Sequence, residues 1–137
     1  MIDSADQLRN TLSVRTADFR MQHQTLEQRI DYIAQFVLGD QVPEEVRIHF
    51  ETGKNLFVYA WYVYRFHTVA EQPILASLEM ATRTRFEAQS QLAAPRGLSA
   101  LLRGAGAAGW IANDRFRARE RWAREIAQQR HDYAEID

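Results

Sequence analysis

The sequence predicts an all-α fold, a compact antiparallel bundle of roughly four to six helices forming one domain over residues 1–137. Three observations lead there. Apolar residues recur at steps of three, four or seven along most of the chain, the period of a helical face. Only 6 Gly and 3 Pro are present in 137 residues, too little turn material for an all-β fold, which needs a turn about every 8–12 residues. Helical spacing also continues on both sides of the apolar run Leu56-Phe57-Val58-Tyr59-Ala60-Trp61-Tyr62-Val63-Tyr64. That favours a central helix over the strand its Val, Tyr, Phe and Trp would equally suit.

From the N-terminus, Ser4-Ala5-Asp6-Gln7 matches a capping box. Leu8, Leu12, Phe19, Leu26, Ile30, Ile33 and Val37 then share one helical face, as a single long helix or as two broken near residues 13–16. Gly39 supplies a left-handed stop, and residues 40–43 form a linker. Pro43 suits the next helix's first turn, and Glu44-Glu45 complement its positive end. That helix extends to about Phe86, weakened at Gly53 and kinked at Pro73, where the ring crowds the Val69 carbonyl. Within it, residues 56–66 read as a rod wrapped by its neighbours.

After a loop at residues 93–97, residues 98–108 form a short helix with Leu101, Leu102 and Ala105 as its packing face; Gly104, Gly106 and Gly109 allow close approach. Trp110-Ile111 is an apolar plug. Asn113 or Asp114 caps a last helix from Arg115 to about Tyr133, with Phe116, Trp122, Ala123 and Ile126 inward.

Composition excludes several chemistries. With no Cys, there is no disulfide scaffold, Cys-ligated zinc, iron–sulfur cluster or thiol nucleophile. Seventeen basic against 18 acidic residues leave no global pull toward nucleic acid or membrane. The first ten residues lack the pattern of a signal peptide. The nine-residue apolar run, bracketed by Lys54 and Arg65, is too short to span a bilayer. A cytoplasmic location without membrane attachment is the expectation. No phosphate-binding glycine loop and no nucleophile elbow occur, and no cofactor is expected.

Four groups of residues carry candidate chemistry. His67 and Glu71 lie four apart on the central helix: a self-satisfying polar pair, or half of an acid/base or metal site without the remaining ligands. Glu79 and Arg83 repeat the spacing in the favourable order, as a salt-bridged face or as part of a core polar stripe with His67 and Glu71. Arg115, Arg117, Arg119, Arg121 and Arg124 crowd the last helix; interleaved acids favour a charged outer face, with RNA phosphate contact as the alternative. Arg124 and His131, seven apart, face roughly one way, and such a pair could hold a scissile phosphate while the ring moves a proton. His23 and His49 have no evident partners.

The block from Phe50 to Gln72, including Tyr59-Ala60-Trp61-Tyr62-Val63-Tyr64-Arg65-Phe66-His67, runs on through Ala76-Ser77-Leu78-Glu79-Met80-Ala81. With the later Gly109-Trp110-Ile111, it resembles uncharacterised proteobacterial proteins associated with the HEPN superfamily, over about residues 46–120. The resemblance implies an antiparallel helical bundle that dimerises. Many HEPN members are metal-independent endoribonucleases of toxin–antitoxin and anti-phage systems, with an Arg and a following His separated by four to six residues; others have lost that motif and act as scaffolds. Here Arg124 and His131 fit the spacing with Glu125 after the Arg, whereas the Arg130 run places Glu135 where His is expected. The resemblance further implies a helix beyond Asp137. The reading preferred for this chain is a non-catalytic or degenerate HEPN-like interaction module, a homodimer or the binder of a protein partner such as an antitoxin. The alternative is an endoribonuclease cleaving RNA with Arg124 and His131 as catalytic pair and Arg115, Arg117, Arg119 and Arg121 as RNA contacts.

Overall fold

A computed structural model describes residues 2, 4–8, 14–89, 93–112, 124 and 127–128. Among these there are four α-helices, two short 3-10 turns and no strand, so the fold is all-helical. The chain divides into two compact units, Met1–Ala94 and Pro95–Asp137.

In the first unit the N-terminal stretch is not the long amphipathic helix expected. Ser4–Asp6 and Phe19–Met21 are single 3-10 turns. The second starts at Asp18, whose carboxylate accepts the Arg20 backbone N–H at 3.0 Å. Arg20 draws both Asp6 and Asp18 into ion pairs, and a continuous helix would place these residues on different faces.

The first true helix, α1 (Leu26–Ala34), begins at the other Ser/Thr-x-x-Gln sequence in this region. The Thr25 hydroxyl accepts the Gln28 N–H at 3.1 Å, and the Gln28 side chain accepts the Thr25 N–H at 3.0 Å. Thr25→Ala is expected to cost about 1 kcal/mol and to speed amide exchange in the first turn of α1, read by denaturation and hydrogen exchange. The helix stops before Gly39, which does not adopt positive φ. Gln35 helps to end it, because its side-chain amide donates to the Tyr32 carbonyl at 2.8 Å and satisfies a terminal acceptor.

Helix α2 (Glu44–Tyr59) starts after Pro43 with two glutamates in its first turn, as the sequence suggests. Helix α3 (Phe66–Gln89) runs back alongside it. The antiparallel sense follows from Gly53, which sits opposite Ala70 and Ile74. Gly53 is buried and marks the closest approach of the two helices rather than a weak point: a Cβ there would overlap Ile74 Cγ1 and lie 3.2 Å from the Ala70 carbonyl oxygen. Ala70, Ser77 and Thr82 keep the facing surface small; the two hydroxyls turn back to the Ile74 and Leu78 carbonyls at 2.7 Å each. Pro73 lies inside α3 without ending it. Helix α1 packs on α2, with the Tyr32 and Phe57 rings 6.0 Å apart.

The rod expected over residues 56–66 is instead a helix end, a turn and a helix start. α2 stops at Tyr59, residues 60–65 turn, and α3 begins at Phe66. The turn is built from tight bonds: Trp61 N–H to the Val58 carbonyl (3.0 Å), Tyr62 N–H to Tyr59 (3.0 Å) and Phe66 N–H to Val63 (2.9 Å). Its corner, Ala60, is fully buried. Nor is the block enclosed on every side, since Tyr59, Tyr64 and Phe66 are exposed.

In the second unit, α4 (Leu98–Ala107) matches its expected span, with Leu101 and Ala105 buried and Leu102 partly so. It ends in a Schellman motif. Gly109, at φ 75°, donates to the Gly106 carbonyl (3.1 Å), and Trp110 N–H donates to Ala105 (2.9 Å). Of the last helix expected over residues 115–133, Arg124, Ala127 and Gln128 are described, and each is helical.

Candidate functional site

The polar residues of the first unit gather where the N-terminal segment and α1 meet the α2–α3 turn. A turn leaves backbone groups without helical partners, and here distant residues supply them. The Asp18 N–H donates to the Trp61 carbonyl at 2.8 Å. The Asp18 carboxylate accepts the Tyr64 backbone N–H near the start of α3. The Trp61 indole N–H donates to the Gln24 carbonyl at 2.9 Å. Asp18 thus anchors the turn that precedes α3 from far along the chain.

Asp18 is wholly inaccessible to solvent, which is tolerable for a carboxylate only when paired. Arg20 provides the pair in bidentate form, Nε to Oδ1 and Nη2 to Oδ2 at 2.9 Å each. Arg20 Nη2 also reaches Asp6 at 2.8 Å, and Arg65 Nη2 holds the other Asp6 oxygen at 2.9 Å. Among the described residues, two carboxylates and two guanidinium groups make a charge-balanced network. Hydrogen bonds from Arg20, then Arg65, lower the Asp6 carboxyl from 3.8 to about 2. The Arg20 hydrogen bond does the same for Asp18, against the opposing effect of burial. The Arg20 guanidinium also lies 4.4 Å from the Tyr64 ring centroid.

Beside this network sits Arg29, in the middle of the inward face of α1 and only 3% exposed. Its Nε donates to the Phe57 carbonyl at 2.6 Å and its Nη1 to Gln24 Oε1 at 3.2 Å, while Nη2 meets His67 Nε2. The guanidinium stacks 3.7 Å from the Phe57 ring centroid. Among the described residues, no carboxylate pairs with it. Burial lowers its affinity for its proton, although an arginine remains charged throughout the physiological range. Next to this cluster, an open cleft of about 550 Å³ is lined by residues including Arg15, Gln22, Thr25 and Tyr62, together with Gln24 and Trp61.

The structure therefore answers part of the expected site. His67 has its partners in Arg29 and in the Tyr64 carbonyl, 2.9 Å from Nδ1, rather than in Glu71. Glu71 is exposed and reaches the ring only through its charge, so it is not a core residue. Glu79 and Arg83 do pair, at 3.1 Å, but at 39% and 35% side-chain exposure they form a surface bridge worth well under about 1 kcal/mol. Arg124 is exposed and helical, whereas Arg115, Arg117, Arg119, Arg121 and His131 lie outside the described residues. His23 Nδ1 meets the Arg20 carbonyl at 3.1 Å.

Asp6, Asp18, Arg20, Arg29 and Arg65 go unmarked by pattern reading. One signal was present: Arg29 stands between Leu26 and Ile33 on the same face of α1, where a charge is out of place unless it is buried with partners. Among the described residues, no group of three or more His, Asp or Glu could hold a metal ion, and no helix is long and apolar enough to cross a membrane. No family model, curated protein or solved structure matches this chain.

Proposed function

We propose that the chain is a HEPN-like helical interaction module whose work is to bind another protein surface, in the first place a second copy of itself. One observation carries this reading. Among the described residues, the large apolar side chains left exposed outnumber the apolar residues that are fully buried. Isolated exposed apolar residues are ordinary, but here they align. On α2, Ile48 (58% exposed) and Tyr59 (56%) lie on one stripe. Between them, Thr52 turns its hydroxyl back to the Ile48 carbonyl and Asn55 its amide nitrogen back to the Glu51 carbonyl. On α3, Leu75 and Leu78 are both exposed about one turn apart. The charged cluster, by contrast, is consumed in holding the turn, and its arginines and carboxylates satisfy one another. The kinship with HEPN proteins, resting on the central sequence block, belongs to the same proposal, as does a cytoplasmic location.

Sedimentation equilibrium of the full chain at micromolar concentration tests the reading. A dimer is expected, converted to monomer by Ile48→Glu with Tyr59→Glu or by Leu75→Glu with Leu78→Glu, with helicity unchanged. A wild-type chain that stays monomeric at every concentration contradicts it. The ribonuclease alternative is supported by Arg124, exposed on helical backbone as a phosphate-contacting arginine would be. It requires that the chain cleave RNA without added metal and that Arg124→Ala with His131→Ala abolish cleavage; equal inactivity of both proteins leaves the binding module standing alone.

A further inference from the structure

We propose that Arg29 and His67 form an acid-sensitive latch, which holds α1 against the α2–α3 turn at neutral pH and releases it when the imidazole takes up a proton. The geometry fixes the proton positions. His67 Nδ1 faces the Tyr64 carbonyl, which can only accept, so Nδ1 carries the hydrogen. Nε2 then presents a lone pair, and that lone pair receives the Arg29 Nη2 hydrogen. Protonation of Nε2 turns this acceptor into a donor. Two N–H groups would then oppose each other, and two positive charges would share a pocket in which Arg29 is almost entirely buried.

The groups facing the imidazole offer little relief. From α1 there is Arg29, from α2 the Phe57 ring at 6.0 Å between centroids, and from the turn the Tyr64 carbonyl and its ring at 4.9 Å. From α3 itself there is Glu71, exposed and without a hydrogen bond to the ring. The carboxylates of the neighbouring turn network, Asp6 and Asp18, are held by Arg20 and Arg65 and do not act on the ring. Burial first, and then the Arg29 charge, push His67 below its ordinary 6.5, with the Tyr64 carbonyl and Glu71 opposing. A folded-state value below the unfolded one means that this stabilisation is complete above about 6.5 and is lost as pH falls through the folded-state value.

Gln24 carries the signal onward. Its side chain accepts from Arg29 while its main-chain carbonyl accepts from the Trp61 indole, so displacement of Arg29 loosens the link between α1 and the turn.

Hydrogen exchange of the full chain, corrected for intrinsic rates, tests the latch. Between about pH 7 and about pH 5, protection over residues 26–34 and at the Trp61 indole should fall about tenfold or more, reversibly, while α2 and α3 keep theirs. His67→Gln, whose side chain can still accept from Arg29 but does not titrate, should remove the step; His23→Gln should leave it in place. If His67→Gln does not fold, the wild-type imidazole is followed by NMR. Titration below 6.5 together with loss of α1 protection supports the latch. Titration at or above 6.5, or α1 protection constant across the range, overturns it.

Discussion

Asp18→Ala should lower the unfolding free energy by about 3 kcal/mol, the cost of leaving one partner of a buried ion pair unmatched. That corresponds to a drop of roughly 10 °C in Tm for a chain of this size. The loss is large because one side chain performs three tasks. It neutralises Arg20 in bidentate contact, starts the Phe19–Met21 turn through the Arg20 N–H, and accepts the Tyr64 N–H at the entry to α3. Asp18→Asn separates these tasks, since an amide oxygen can still cap Tyr64 but cannot balance Arg20. An intermediate loss is expected, and equality of the two variants would show that charge pairing accounts for the whole effect.

The pH dependence carries the same signature. Asp6 and Asp18 are depressed from 3.8 to about 2, so their stabilisation is present above about 3.8 and is lost as pH falls toward about 2. Acid unfolding of the wild type should therefore show a component in that window which Asp18→Ala diminishes, well separated from any change driven by His67.

Gly53→Val should be comparably damaging, by about 2–3 kcal/mol, through the opposite mechanism of overpacking. The added carbons collide with Ile74 Cγ1, close to the helix backbone rather than at a free side-chain end, and the Ala70 carbonyl oxygen lies 3.2 Å from the first of them. The two helices must then separate or rotate, and neither is cheap in an interface built of Gly53, Ala70 and Ser77. Gly53→Val with Ile74→Ala should recover part of the loss. Urea denaturation of the single and double variants measures the coupling, and strict additivity would place the collision elsewhere.

How far the sequence reveals this structure depends on whether the information is local. The start of α2 is announced by Pro43-Glu44-Glu45, and α4 by its apolar face, whereas Gly109, read from the sequence as a site of close approach, proves to be the helix stop. The turn at residues 60–65 is not announced. It contains neither Gly nor Pro, and a run apolar on every side shows no change of face when the helix ends. What ends α2 is supplied by Asp18 and Gln24, some forty residues earlier, and no periodicity records such a pairing.

The N-terminal region fails for a related reason. Ser4-x-x-Gln7 and Thr25-x-x-Gln28 are equal as capping boxes, but Asp6 is claimed by Arg20 and Arg65, so a helix forms only after the second. Likewise, His67 has Glu71 at ideal helical spacing, yet its hydrogen bonds go to Tyr64 and to Arg29, 38 residues away. A buried guanidinium outcompetes an exposed carboxylate because the buried donor has nowhere else to go.

The folding back of α3 on α2 about the turn anchored by Asp18 is open to a distance measurement. The chain has no native cysteine, so spin labels can be placed cleanly at Glu45 and Thr84, both exposed. Double electron–electron resonance should return a single short distance of roughly 20 Å, as for neighbouring antiparallel helices about 10 Å apart plus label length. A population near 60 Å, the length of a continuous helix at about 1.5 Å per residue, would mean that the aromatic block is a rod after all and that Asp18 anchors no turn.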